Sequence, residues 1–219
     1  MFIGHFAVGL AGRGLTPRVS LGTWFLSVQW LDLVWPLLLL AGLEHVRIDP
    51  GNTAMTPLDF YDYPITHSLV TVLGWSVLFG VVFYARRRDR FAAALLAAGV
   101  ASHWFLDAMT HRPDLPLWPG GPTVGLELWR SVPLTVAVET AMFAAGVFVY
   151  ARATRPLDRT GRIALWSLVG FLYVIYLANI FGPPPPSVGA IAGGGMAAWL
   201  FVPWAYWIDR HRRTEELRS

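Results

Sequence analysis

His103, Asp107 and His111 recur at i, i+4 and i+8 in SHWFLDAMTHRPD, a spacing that stacks their side chains along one helical face. Two or three nitrogen and carboxylate ligands on one face are what a zinc-type site takes from a helix. Zinc accepts His nitrogen and Asp or Glu oxygen, and a chain without cysteine offers no thiolate in their place. In a soluble helix, H-x-x-x-D is weak evidence and reads as an ion pair on a solvated face. Here it sits in an apolar run, where each ionisable group costs roughly 2.5–3.5 kcal/mol on insertion scales and usually faces a protein interior. Four more such groups stand in similar surroundings: Asp32 in VQWLDLVWP, His67 in YDYPITHSLV, Glu139 midway along another apolar run, and His5 in the N-terminal IGHFAVGL.

The elements that must position these groups are membrane helices. Of the 219 residues 55% are hydrophobic and only 14% charged, with a mean hydropathy of +0.48. A soluble domain of this size is closer to about one quarter charged. A spanning helix needs about 20 mostly apolar residues, and segments that fit run roughly over 21–43, 65–85, 91–110, 128–150, 163–181 and 188–208. Arg86–Arg88 and Arg90 separate the second from the third, and Pro183–Pro186 cannot continue a helix between the fifth and sixth. Residues 1–11 are apolar but too short to span; a re-entrant half-helix, an interfacial helix or the start of a broken helix all fit them. The N-terminus lacks the basic start of a cleaved signal peptide. The expected fold is an all-α polytopic bundle of about six spans plus a short N-terminal apolar helix. A single transmembrane domain over 1–208 would be followed by a polar cytoplasmic tail over 209–219.

All 17 basic side chains are Arg, gathered in short clusters between apolar runs, as membrane-flanking charges are; no nucleic-acid partner is expected. Arg13 and Arg18, the four Arg of 86–90, Arg152–Arg162 and Arg210–Arg213 fall on one side of the alternation. The intervening loops hold only Arg47 and Arg112. The positive-inside rule then places both termini in the cytoplasm. Counted from the nearest Arg on that side, Asp32 is 14 residues in (32 − 18), His103 13 (103 − 90) and Glu139 13 (152 − 139). At 1.5 Å per helical residue these three share a level about 20 Å from that edge. Asp107 is expected higher and His67 near the outer edge, so any cluster falls in the outer half.

IGHFAVGL, the Leu-Asp of the first span, PITHSL and SHWFLDAMTHRPD together resemble the YdjM-like family of bacterial inner-membrane predicted metal-dependent hydrolases, over roughly residues 1–150. More distantly, the ligand order His, Asp, His, His-x-x-x-Asp is similar to that of the zinc-dependent phospholipase C and nuclease superfamily, which hydrolyses phosphoesters with clustered zinc ions. The resemblance implies His5, Asp32, His67, His103 and Asp107 as metal ligands, with His111 and Glu139 as candidates for a further ion. Fewer His follow the H-x-x-x-D pair than in the soluble enzymes, so one or two divalent ions, zinc first, are expected in place of three. The implied activity is metal-assisted hydrolysis in the bacterial inner membrane, with Asp32 as bridging carboxylate or general base. Location within the bilayer suggests a lipid or lipid-linked phosphoester as substrate.

Competing readings are a proton- or ion-coupled transporter, which also carries mid-membrane Asp, Glu and His, and a non-catalytic structural membrane protein. The small size and the absence of a repeat weigh against transport. Arg112 is read either as a phosphate partner or as an interface anchor. Glu44 and His45 are expected to be solvated at the outer interface, and Asp49, Asp59, Asp62 and Asp114 to cap turns. Tyr61, Tyr63, Trp118, Trp204 and Trp207 suit an interfacial belt, His211 a solvated tail, and the glycines of 193–195 a close helix contact.

Overall fold

The computed structural model describes residues 1–214, and residues 215–219 of the expected tail lie outside the described residues. The chain is an all-α membrane bundle. Among the described residues five helices are long and apolar enough to cross a bilayer, and a bent pair reaches the same length and apolarity when its two helices are taken together. In chain order the helices are α1 (Ile3–Leu15), α2 (Leu21–Val28), α3 (Trp30–Leu40), α4 (Pro64–His67), α5 (Leu69–Arg87), α6 (Arg90–Thr110), α7 (Val132–Ala153), α8 (Arg159–Phe181), α9 (Val188–Ala197) and α10 (Phe201–Arg210). The last two join through a 3-10 turn over Ala198–Leu200 into one span. Three short antiparallel strand pairs close the loops: β1 (His45–Ile48) with β2 (Leu58–Asp62), β3 (Leu115–Pro116) with β4 (Thr123–Val124), and β5 (Thr154–Pro156) with β6 (Arg212–Thr214).

The expected first span, 21–43, is the bent pair α2–α3, broken at Gln29 with a 54° change of direction. Pro36 adds to the irregularity, since it has no N–H for the carbonyl of Asp32 and its ring crowds that carbonyl. One residue along, the carbonyl of Leu33 accepts from the Trp199 indole at 3.0 Å. The expected second span begins later than the apolar pattern suggests. Ser68 is extended (ψ 142°) and its hydroxyl accepts from the Thr71 amide, so α5 is capped afresh and His67 is left on the separate turn α4.

Helix α1 settles the open question about residues 1–11. It is a half-length helix buried in the bundle against α2, α6, α7 and α8. Its glycines permit this: Gly9 lies on Phe25 and Val28, Gly12 on the Trp24 indole, and the α7 residue Gly146 faces the backbone of Ala7. Hydrophobic residues of α5 such as Val70, Leu73, Val77 and Val81 point outward, as lipid-facing residues must. Of the three glycines at 193–195, only Gly195 makes the expected close contact, on Pro36; Gly193 and Gly194 face open space.

At the Arg-rich end, Asp209 ties the helices together. Its carboxylate accepts from the Leu21 amide at 2.5 Å, the Tyr150 hydroxyl at 2.9 Å and Arg13 Nε at 3.3 Å. Arg13 also donates to the carbonyl of Pro17 and the hydroxyl of Thr214. Buried Arg212 bonds Thr154 and the carbonyl of Gly161. Residues 209–214 thus dock on the bundle and do not trail from it, and His211, expected to be solvated, pairs with Asp158 at 2.8 Å. Arg130 joins Arg47 and Arg112 at the opposite end, where it pairs with Glu127.

A Cβ at Gly146 would lie 2.5 Å from the carbonyl oxygen of Ala7, a backbone atom that cannot step aside. Gly146→Ala is therefore expected to lower stability by about 1–3 kcal/mol. Gly170→Ala, which meets nothing within 4 Å, is expected to leave it unchanged. Thermal unfolding of the detergent-solubilised variants checks the pair, and equal midpoints would contradict the packing of α1 on α7.

Candidate metal centre

Five of the seven predicted site residues meet inside the bundle, delivered by four different helices. His5 comes from the first turn of buried α1, Asp32 from the first turn of α3 just past the bend, and His67 from α4. His103 and Asp107 come from one face of α6. The ligating atoms of His5, His103 and Asp107 lie within 4.8 Å of one another, and those of Asp32, His67 and His103 do so as well. His103 belongs to both trios. Its Nε2 is 3.2 Å from Asp107 Oδ2 and 3.5 Å from Asp32 Oδ1. His67 Nε2 is 3.6 Å from Asp32 Oδ1 and 3.8 Å from Asp107 Oδ2. His5 Nε2 is 3.1 Å from Asp107 Oδ1, and the His5 and His103 rings stack with centroids 3.7 Å apart. The α-amino group of Met1 also contacts Asp107 Oδ1.

The outer nitrogens of two imidazoles are already committed. The Val28 carbonyl can only accept, so His103 Nδ1 carries the proton of their 2.8 Å bond. The Thr66 hydroxyl donates to Glu44 Oε2 and therefore accepts from His67 Nδ1, both at 2.7 Å. Each His thus turns Nε2 toward the carboxylates, the tautomer and orientation that partner groups of this kind impose on metal-binding His. Among the described residues His103 Nε2 has no hydrogen-bond partner, although two carboxylates stand close by. Lone pairs facing lone pairs in an apolar interior require positive charge among them; the Met1 amino group supplies it at Asp107 Oδ1, and a proton on an imidazole or a cation is needed between His103 Nε2 and Asp32. A set of three imidazole nitrogens and two carboxylates fits zinc or a similar divalent ion.

Access is uneven. The Asp32 side chain is 35% exposed, whereas those of His5, His67, His103 and Asp107 are at most 6% exposed. Asp32 is therefore the member of the cluster that opens to the outside of the bundle.

Glu139 and His111 lie outside both trios. Glu139 Oε2 accepts from the amides of Phe2 at 2.9 Å and Gly4 at 3.3 Å, so it anchors the otherwise unpaired N–H groups at the start of α1. His111 stacks near Trp129, its centroid 4.1 Å away, and its Nδ1 bonds Asp114 at 2.9 Å. Burial pushes its imidazole below the usual range despite the Asp114 carboxylate. The i, i+8 spacing put it on the face of His103, but α6 ends at Thr110, and the extended backbone of His111 turns its ring away.

Several polar residues read as surface groups are structural. Glu44, expected to be solvated, is 1% exposed and accepts from the amides of Ile65 and Thr66 as well as the Thr66 hydroxyl. Tyr63, placed in the interfacial belt, is buried beside His67 with ring centroids 4.9 Å apart. Asp59 caps no turn; it is buried between Arg47 and Arg112. Arg112 is held by Asp59 and by Asp114 at 3.2 Å, so it braces the β1–β2 loop and is not free to meet a phosphate. Glu44 left one sequence signal: a carboxylate ending an apolar span, opposite a Pro-Ile-Thr-His turn that begins with unpaired amides.

Glu44→Ala strands two amides and the hydroxyl that orients His67. A loss of about 1–3 kcal/mol is expected, measured as a lower unfolding midpoint, with Glu44→Gln falling between the two. An unchanged midpoint for Glu44→Ala would contradict the bonds described.

Compared with known proteins, the chain matches a family model described as YdjM inner membrane protein over residues 2–182. The match covers all five converging residues and continues through α8, beyond the motif-bearing 1–150. No curated protein and no solved structure matches.

Proposed function

From the premise that this chain belongs to the YdjM inner membrane protein family, we propose that it is a membrane-embedded metal-dependent hydrolase acting on a phosphoester in a lipid or lipid-linked substrate. The observation that carries this reading is the gathering of His5, Asp32, His67, His103 and Asp107 into two overlapping trios that share His103. A helix-bonding network would not need three imidazoles turned inward by Val28, Thr66 and a carboxylate. The shared His103 suits one ion or two adjacent ones, zinc first among the candidates. When bound, such an ion would lower the pKa of water toward neutrality and polarise an ester oxygen.

The chain's own residues supply the rest. Asp107 holds three imidazoles from three elements and fixes the geometry. Asp32, the accessible carboxylate, accepts a proton from water as its oxygen bonds to phosphorus and the ester P–O bond breaks. The leaving oxygen then takes up a proton. His103 and His67 are kept in one tautomer by their outer hydrogen bonds, so no reorganisation is needed when substrate enters. Helix α1 runs from the cluster, where the Met1 amino group meets Asp107, to Arg13 at the Arg-rich end, which faces the cytoplasm on the positive-inside rule; the N-terminus, expected in the cytoplasm, therefore lies inside the bundle. The cluster then sits in the outer half of the membrane, open to lipids of that leaflet.

Protein purified without a polyhistidine tag is expected to carry about one to two equivalents of zinc or a similar ion, measured by elemental mass spectrometry. His103→Ala and Asp107→Asn are expected to lose it, and Thr66→Val to bind about 10–100-fold more weakly. Hydrolysis of a phosphodiester presented in mixed micelles should fall by about 10²–10⁴-fold in Asp32→Asn. Metal-free wild-type protein, or a His103→Ala variant with unchanged metal content, would end the hydrolase reading.

A further inference from the structure

The Arg clusters at the Arg-rich end serve topology by their charge alone, and topology makes no demand on where the guanidiniums point. Here four of them, Arg18 from the segment before α2 and Arg87, Arg88 and Arg90 from the α5–α6 turn, line a single cavity of about 750 Å³. Among the described residues none of the four has a carboxylate partner, and Arg88 makes only a distant stacking contact with Tyr84. The one acid in the cavity wall, Asp89, is spent on the amide of Ala92 as the cap of α6. Asp89 keeps its negative charge while it caps α6, so four guanidiniums face one carboxylate and the cavity wall carries a net charge of +3 (4 − 1).

Its other walls are as specific. A chain of hydroxyls runs along one side, Ser20 to Thr23 at 2.8 Å and Thr23 to Tyr206 at 2.8 Å, offering neutral donors beside the cations. Val19, Phe83 and Phe91 supply apolar surface, and the C-terminal end of α5 and the N-terminal end of α6 frame it. Arg88 holds a left-handed backbone, φ 58°, where Gly is the ordinary residue. A larger, charged residue in that conformation keeps its side chain at the turn at a conformational cost.

We propose that this cavity is a phosphate-recognition site for the headgroup of an anionic phospholipid. The guanidiniums and hydroxyls meet the phosphate, and the apolar wall meets the start of the acyl chains. It is separate from the metal cluster, uses none of its residues, and stands whether or not that cluster is catalytic.

The test compares lipid retention by purified full-length protein in native mass spectrometry, using phosphatidylglycerol, phosphatidylcholine and inorganic phosphate as probes. Wild type is expected to retain phosphatidylglycerol in preference to phosphatidylcholine, and the double variant Arg18→Gln/Arg88→Gln to lose about tenfold of that retention. The double variant Arg86→Gln/Arg159→Gln removes equal charge from the same end but outside the cavity lining, and is expected to retain wild-type preference. Inorganic phosphate is expected to compete weakly, since it lacks the acyl portion. Equal retention of the two lipids, equal loss in both double variants, or full displacement by millimolar inorganic phosphate would overturn the assignment. Should Arg18→Gln/Arg88→Gln fail to fold, Arg18→Lys/Arg88→Lys keeps the charge, removes the bidentate donors, and is held to the same comparison.

Discussion

Two carboxylates, Asp32 and Asp107, share the interior of a membrane bundle with three imidazoles, and the arrangement of the surrounding helices follows from what that requires. A carboxylate in such a place is stable only if positive charge and hydrogen-bond donors are brought to it. Asp107 receives His5, His67 and His103 from three different elements. His103 comes from the same regular helix as Asp107, but His5, His67 and Asp32 each need an irregular device that a plain span could not give. A half-length helix buried by its glycines brings His5 to the right depth. The break at Gln29 swings Asp32 inward, and the capped turn ending at Ser68 sets His67 apart from its span. The partners behind these side chains, Val28, Thr66 and Glu44, are what make the geometry rigid.

Much of this was readable from the chain. The length and spacing of apolar runs set the spans, and the cost of charge in hydrocarbon drew attention to Asp32, His103 and Asp107. The i, i+4 spacing placed His103 and Asp107 on one face, as the structure has them. Counting residues from the Arg clusters put Asp32 and His103 at one level, and they lie 3.5 Å apart. The same count put Glu139 at that level, but its carboxylate turns to the amides of Phe2 and Gly4.

What stayed hidden depended on contacts between distant parts of the chain. His5 could not be placed by counting, because α1 is folded into the bundle and not strung from its edge. Nothing local shows that Glu44 will reach the amides of Ile65 and Thr66, or that Arg112 will be taken by Asp59. In each case a polar residue next to an apolar run reads as solvated, yet a loop packed over the helix ends buries it. His111 misled for the opposite reason, since helical spacing was extended one residue past the end of α6. The tail likewise read as solvent-facing because its charges cannot reveal that Asp209 and Arg212 find partners on α1, α2 and α7.

The central claim is that the five converging side chains hold a metal ion, and X-ray absorption at the zinc edge on zinc-loaded protein tests it most directly. The account predicts a nearest shell of nitrogen and oxygen at about 2.0–2.2 Å with the outer scattering of imidazole rings, reduced in His103→Ala. A zinc spectrum without imidazole scattering, or one that His103→Ala leaves unchanged, would contradict it.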